Sequence, residues 1–305
     1  MSGTELHLCH TSCLLLDAGT FTSYLTSVKT WMDANPNEVV TLLLVNTDGI
    51  LPAVWQAAYV SAGIDTYAYT PTSVPIAYSD WPTLQTMITS GKRLVSFLAQ
   101  NADVSSAPYL LDEFTNIWET PYDETDNSFP CNVDRVTGTS ANKMVRLPTS
   151  TPFRCYSLIS FPVQYLVNHF LDVNVTLGAT VFPSPATQLL NTTNALGPGT
   201  GTLLEQSNNC YSLHQQLPTF TLVDYYDMGQ GSVFEYAAKM NGVSYVAGTI
   251  GTANSTTSAS GSGSSGTSST SSSSLSPATS LQVPTGFAAW TASLLLGVGA
   301  TAFML

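Results

Sequence analysis

Positive charge is what this chain has least of. Eight Lys+Arg stand against 20 Asp+Glu, a formal charge of −12, and only 9% of the 305 residues are charged, against about 25% in ordinary soluble domains. So acidic a surface repels polyanions, which excludes nucleic acid as a partner and leaves room for no more than a local phosphate site. Histidine is also scarce, at four, and none of the five cysteines forms a C-x-x-C pair, which excludes a zinc centre. No glycine-rich phosphate loop follows any candidate strand. The run "GSGSSG" at residues 261–266 has no strand before it, and a phosphate loop needs one. No cofactor is implied. The first 20 residues hold neither a basic stretch nor an apolar run, so they contain no secretory signal peptide.

What is present points outside the cell. The chain is 44% hydrophobic and long enough for one large domain or two small ones. Its cysteines are Cys9, Cys13, Cys131, Cys155 and Cys210, and disulfides in an oxidising compartment are the reading that fits them. N-x-S/T acceptor sites for N-glycosylation stand at Asn174, Asn191 and Asn254, which fits secretion.

The C-terminal part divides in two. From Asn254 to about Ser280 the chain is nearly pure Ser, Gly and Thr, too polar to pack, and reads as a disordered, O-glycosylated stalk. Then "GFAAWTASLLLGVGATAFML", Gly286 to Leu305, runs uncharged to the last residue. Its length suffices to cross a bilayer. No basic residue follows it, unlike a permanent span. Small residues, a polar spacer and an apolar tail match a GPI-attachment signal, with attachment between Ser262 and Ser274 and a tail anchor as the other reading. The chain therefore divides into a body over 1–250, a stalk over 251–285 and a membrane anchor over 286–305. A GPI signal without a leader is inconsistent in a complete protein, so the N-terminus is expected to be missing.

The body alternates strand and helix. "ELHLCH" (Glu5 to His10) reads as a strand, and a helix over Thr20 to Asn35 puts Phe21, Tyr24, Leu25, Val28, Trp31 and Met32 on one face. "EVVTLLLVN" (Glu38 to Asn46) is the continuous apolar run of a buried parallel strand. Helices follow near Pro52 to Ala62 and Trp81 to Ser90, then strands "KRLVSFLA", "TNIWETPY", "YLVNHFLD" and "FTLVDYYD", and a helix from Ser232 to Asn241-Gly242. Six strands with helical or long crossovers make an α/β protein with a parallel sheet. Polar residues gather where strands end: His10, Asn46, Asp48, Asn101, Glu119, Asn168, His169, Asp172, Asp224 and Asp227. In a (β/α)₈ barrel that end carries the active site. An open doubly wound sheet is the other architecture this pattern allows.

The words "LHLCHTSC", "LDAG", "WMDANPNEVVTLLLVN", "YLLDEFTNIWETPYD", "LVNHFLD" and "TLVDYYDMG" run from residue 5 to about 247. In this order they resemble the fungal secreted phospholipase-C-like phosphodiesterases, which share the TIM barrel of phosphatidylinositol-specific phospholipase C. The resemblance implies a (β/α)₈-type barrel, incomplete here. About six parallel strands remain, and the first two βα units, with a catalytic histidine and a cationic phosphate clamp, are missing. It also implies cleavage of a phosphodiester through a cyclic phosphate by two histidines acting as base and acid. His10 matches the general acid and Asp224 the carboxylate that orients the other histidine. Asn46, Glu119, His169 and Tyr226 are the candidate substrate-binding residues, although Glu119 and Asp172 can equally be strand caps. No counterpart of the calcium-dependent relatives' carboxylate cluster is visible, so no metal is expected. His7 is expected to face outside the barrel layer and His214 to sit in a surface loop. Without the first two units, Leu6, Leu8, Leu222 and Val223 should face an open cleft. The partners implied are a phosphodiester or inositol-lipid substrate and a membrane held through the C-terminal anchor. As written, the chain should be inactive, since an acid without base and clamp loses several orders of magnitude in rate. The alternative is a non-catalytic, GPI-anchored surface glycoprotein on a degenerate barrel.

One segment does not fit. "VRLPTSTPFRCYSLISFPVQ", Val145 to Gln164, has no period and interrupts the family words. A valine codon can begin with GT and Gln is encoded by CAG, the usual limits of an intron, so the 20 residues read as a translated intron. A surface loop is the other reading. The segment contains Cys155; without it four cysteines remain, which can pair as Cys9–Cys13 and Cys131–Cys210.

Overall fold

A computed structural model describes residues 5–10, 13–14, 16–135, 164–178 and 180–247. The stalk, the anchor, Asn254, Cys155 and all of the interrupting segment except Gln164 lie outside the described residues.

Two short antiparallel strands open the chain, β1 (His7–His10) and β2 (Leu16–Thr20). Helix α1 (Phe21–Ala34) follows directly. Thr20 caps it, its hydroxyl accepting from the Ser23 N–H at 3.1 Å. Phe21, Leu25, Val28 and Met32 recur at helical spacing and are fully buried, giving the single apolar face that the sequence predicts. Arg93, only 4% exposed, seals the other end of α1. Its guanidinium donates to the carbonyls of Met32 (2.5 Å), Asn35 (3.0 Å) and Glu38 (3.0 Å), which satisfies acceptors that a helix end leaves unpaired.

Strand β3 (Val40–Leu44), helix α2 (Pro52–Ala62), the short α3 (Leu84–Ser90), β4 (Leu94–Leu98) and β5 (Leu110–Asp112) come next. Pro52 begins α2, where its missing N–H goes unneeded. Gly63, at φ +65°, ends it in the left-handed region. β3, β4 and β5 form one parallel sheet, with Val40 opposite Leu94 and Leu98 opposite Asp112. One face, with Leu42, Leu44, Leu94, Leu98 and Leu110, packs on α1 and α2. On that face the Tyr59 hydroxyl donates to Ser96 at 2.7 Å.

A four-residue turn, α4 (Glu113–Asn116), leads into β6 (Ile117–Glu119). Asp112 caps the turn through the Thr115 N–H at 2.7 Å. Four residues are too few for a parallel crossover, so β5 and β6 do not pair. The chain from Leu110 to Glu119 instead leaves the first sheet and enters a second, of order β6, β7 (Gln164–His169), β10 (Phe220–Val223). Between β7 and β10 lie the hairpin β8 (Asp172–Leu177) and β9 (Thr180–Pro185), the short α5 (Leu190–Thr193) and α6 (Leu203–His214). α7 (Ser232–Met240) is the last described helix. Val95, Phe97, Leu111, Ile117, Leu166, Phe220 and Leu222 form one apolar cluster between the two parallel sheets, with the Phe97 and Phe220 rings edge to face at 6.2 Å. Each sheet therefore has an inner apolar face shared with the other and, in the first sheet, an outer face under helices. The protein is α/β with parallel sheets, and no closed barrel is formed among the described residues.

Three expectations are corrected. β1 is not a member of a parallel sheet: it turns back at once to pair antiparallel with β2, His10 opposite Leu16, across a loop closed by the Cys9–Cys13 disulfide. Leu6 and Leu8 therefore pack against the first core cluster and Leu222 is buried, rather than all three lining an open cleft. Gln164 is not part of an insertion's irregular chain; it starts β7, opposite Ile117. The hairpin β8–β9, the strand segment β5 and helix α6 are additions that apolar periodicity did not announce.

Candidate functional site

Parallel strands end together. In the second sheet Glu119 lies opposite Leu166, and Val223 opposite His169, so the residues following β6, β7 and β10 share one rim. Glu119 is 3% exposed. Its Oε2 accepts from Asn168 Nδ2 at 3.3 Å and lies 3.5 Å from Arg135 Nε. Asn168 also donates to the Thr120 carbonyl at 2.8 Å, which ties the ends of β6 and β7. Below them Glu113, held in the α4 kink, is fully buried, and neither carboxyl oxygen has a hydrogen-bond partner among the described residues. Burial, and then the neighbouring Glu119 carboxyl, push its pKa up to about 9. Glu113 is thus protonated at neutral pH, beside a Glu119 side chain that faces Arg135.

Three more carboxyls continue the rim: Asp123 after β6, Asp172 after β7 and Asp224 after β10. Burial, with Asp123 and Asp224 nearby, raises Asp172 to about 6. Burial also raises Asp224 and Asp123, the latter offset by Arg135. Asn194, fully buried, donates to the carbonyls of Asp224 (3.0 Å) and Tyr225 (3.1 Å) and so pins the loop after β10, where Tyr225 adopts φ +49°. The Tyr226 ring, 40% exposed, meets Phe234 edge to face at 6.0 Å.

The other candidates lie in different settings. His10 ends β1, in a separate sheet from β10, and its side chain is outside the described residues. Asn46, 2% exposed, clamps the turn after β3: its amide donates to the carbonyls of Ile50 (2.9 Å) and Gln100 (3.1 Å), and its oxygen accepts from Ile50 N (2.8 Å). His169 is sealed in the core against Phe129. Nε2 donates to the Thr193 carbonyl at 2.7 Å, and Nδ1 meets the Gln206 amide at 2.5 Å. Burial lowers its pKa; Gln206 Oε1 faces Nδ1, and Gln206 Nε2 donates to the Asn168 carbonyl at 3.4 Å. His7 bonds Asp17 at 2.8 Å; this contact and the Gly19 N–H hold Asp17 below the usual carboxylate range. His214 is not in a surface loop. It ends α6, bonds the Cys131 carbonyl at 2.6 Å and packs its ring against Trp118, tilted by 60° at 4.6 Å, because the Cys131–Cys210 disulfide brings that loop under the helix. Asn174 and Asn191 are exposed. Among the described residues no group of three or more His, Cys, Asp or Glu is placed to hold a metal ion.

Sequence reasoning missed Glu113, Asp123, Arg135 and Asn194. Glu113 stands in the word "DEF" just before a strand, but nothing in that word signals a kink. Arg135 was findable as one of only eight cations, though its distance from Glu119 in the chain hid the pairing.

Two parallel sheets around one apolar cluster, with acidic side chains and one arginine at the strands' C-terminal ends, define an α/β protein of the kind that binds at that end. The family described as PI-PLC X 1 matches residues 1–151 and 159–241; the gap between the two stretches falls inside Val145–Gln164. A protein of Arthroderma benhamiae (strain ATCC MYA-4681 / CBS 112371) called "Uncharacterized secreted protein" is 40% identical over 248 residues, covering 80% of this chain and 52% of that protein. Another from the same strain, called "PI-PLC X domain-containing protein 1", is 40% identical over 238 residues, covering 77% of this chain and 69% of that protein. The chain spans about half the length of the first and about two thirds of the second. No solved structure matches. The chain belongs to the PI-PLC X domain family.

Proposed function

We propose that the chain is the larger part of an extracellular, GPI-anchored, N-glycosylated phosphodiesterase of the phosphatidylinositol-specific phospholipase C type, on a (β/α)₈-type barrel whose first two units it does not contain. The observation that carries this reading is the environment of Asp224. It is a desolvated carboxyl at a parallel strand's C-terminal end, with no ion pair among the described residues, the setting of a group that orients and charges an imidazole. In the reaction a histidine base takes the proton of the inositol 2-hydroxyl. That oxygen bonds to phosphorus, the bond to the lipid alcohol breaks, and His10 supplies the departing oxygen with a proton. Tyr226, which is exposed, contacts the polyol, and the buried Glu119 acts from behind it through Asn168 and Arg135. Asn46 and His169 act from behind the site, holding the ends of β3 and β7. The relative named as secreted supports the extracellular placement.

The 305 residues by themselves are inactive in this reading. His169 and His214 are committed to Gln206, Thr193 and the Cys131 carbonyl, and His7 pairs with Asp17 in the β1–β2 sheet, a different sheet from that of β10 and Asp224, so this reading takes none of the three as the base. This also favours the second reading, a non-catalytic surface glycoprotein. The test is ³¹P NMR on phosphatidylinositol vesicles. No cyclic phosphate is expected from the chain as written. It should form when the upstream coding sequence is added and vanish again with His10→Ala. Product from the 305 residues alone, lost in His10→Ala, would place the base within them. No product from the extended chain supports the glycoprotein.

A further inference from the structure

The hairpin of β8 and β9 leaves more apolar surface in water than its size can bear. Among the described residues its two strands pair only with each other, so both outer edges are open, and a lone two-stranded hairpin is marginal in water. Its base is held. Asp172, Ser184 and Pro185 are buried, and the Asp172 N–H donates to the Glu124 carbonyl at 2.8 Å. Its outer half is not. Side chains alternate between the two faces, and residues directly opposite share one. Asn174 stands opposite Pro183 and Thr176 opposite Val181, so these four form one face. All four are exposed, Val181 to 58%. Val173 and Val175 lie on the other face with the partly buried Phe182 and are less bare, at 37% and 38%. Exposed β-branched residues on an open-edged hairpin invite strand addition by another chain.

Asn174-Val175-Thr176 is an N-glycosylation acceptor, and it lies on the barer face. We infer that the N-glycan carried by Asn174 is the cover of that face: its first N-acetylglucosamine lies across the hairpin, the C–H side of the ring on Pro183 and Val181 and the hydroxyls in water. This rests on the secreted, N-glycosylated reading proposed above. A sugar tethered to the residue opposite Pro183 is present at high effective concentration and needs no separate partner. Its bulk on the same face also keeps another chain off the open edges. Asn191 offers nothing comparable. It lies in the single turn α5, where the Thr193 of its acceptor is 4% exposed and bonds the Leu189 carbonyl at 3.2 Å. Leu189 is exposed but two residues back, and residues two apart on a helix do not face each other.

The full chain, expressed in yeast behind a host signal sequence and purified from medium or membrane, tests this. Glycopeptide mass spectrometry should find Asn174 occupied. Endoglycosidase H leaves one N-acetylglucosamine and peptide N-glycosidase F leaves none, so treating the folded protein with each separates the first sugar from the rest. Amide exchange across 172–185 should be unchanged by the first enzyme. After the second it should be roughly 5- to 10-fold faster, the worth of uncovering one half-exposed valine. Self-association in sedimentation should appear only after the second. Asn174→Gln should behave as the fully stripped protein, and adding Val181→Thr should lower its self-association again. Asn191→Gln should leave both readouts at the wild-type level. Occupancy at Asn191 without Asn174 overturns the inference and leaves the glycosylated reading standing; occupancy at neither overturns both. Exchange and association unchanged by complete stripping show a glycan that covers nothing and overturn the inference. Vesicle binding by the glycosylated protein that Val181→Thr abolishes shows a face open to lipid and overturns it as well.

Discussion

Glu113→Gln should make this protein more stable at neutral pH. The wild-type carboxyl is fully buried, and its pKa stands at about 9 against an ordinary 4.5. A group whose folded pKa is raised contributes stability fully only below its unfolded pKa, and that contribution is lost as pH climbs toward the folded value. The window here is pH 4.5 to about 9. Each unit within it removes about 1.4 kcal/mol, so at pH 7 the penalty is about 3 kcal/mol. Glutamine keeps the shape, cannot ionise and offers an N–H toward Glu119. Urea unfolding followed by tryptophan fluorescence from pH 4.5 to 8.5 measures both proteins. The two should be nearly equal at pH 4.5, and the variant should gain steadily above it, by about 3 kcal/mol at pH 7. A difference that stays flat with pH, or a wild type that is the more stable at pH 8, would refute the reasoning. It would mean that Glu113 ionises in place, with solvent or a cation reaching it.

The opposite sign applies to His169, whose folded pKa is lowered by burial: its stability is present above the ordinary histidine value near ~6.5 and lost as pH falls. His169→Gln should cost about 1–3 kcal/mol at pH 7.5, from the partners it leaves at Thr193 and Gln206, and the gap should narrow below pH 6. A gap constant from pH 5 to 8 in denaturant titrations would contradict the buried neutral ring. Replacing Cys131 and Cys210 by Ser opens a crosslink spanning 79 residues, worth up to about 4.5 kcal/mol by chain entropy. A lowered melting temperature is expected, together with an exposed Trp118 in fluorescence quenching; an unchanged melt would show the loop held by packing alone.

Much of this protein follows from local pattern. The spacing of Phe21, Leu25, Val28 and Met32 makes α1 whatever surrounds it. The apolar runs at Val40–Leu44 and Leu94–Leu98 can only be strands covered on both faces, since an alternating strand would have shown polar residues at every second position. Pro52, Gly63 and Gly91 mark helix limits through backbone preferences that act within one turn. Family words in order along the chain placed it among PI-PLC X proteins. Strand ends also revealed Glu119, Asp172 and Asp224 as candidates, because parallel strands share a direction. What local pattern cannot encode is who the neighbour is. β1 has the alternation of a barrel strand, and only the loop closed at Cys9 and Cys13 turns it into half of a hairpin. "YLLDEFTNIWETPY" reads as one extended piece with a polar start. The kink at Asp112–Asn116, which splits it between two sheets and buries Glu113 beside Glu119, depends on β4 and β7 claiming its two ends. Arg135 meets Glu119 across a loop that α6 and a disulfide fold back, and His214 is carried inward by the same bond. Burial, and with it the charge state of Glu113, His169 and Asp172, is a property of what packs around a side chain, and the chain supplies that only once it has folded.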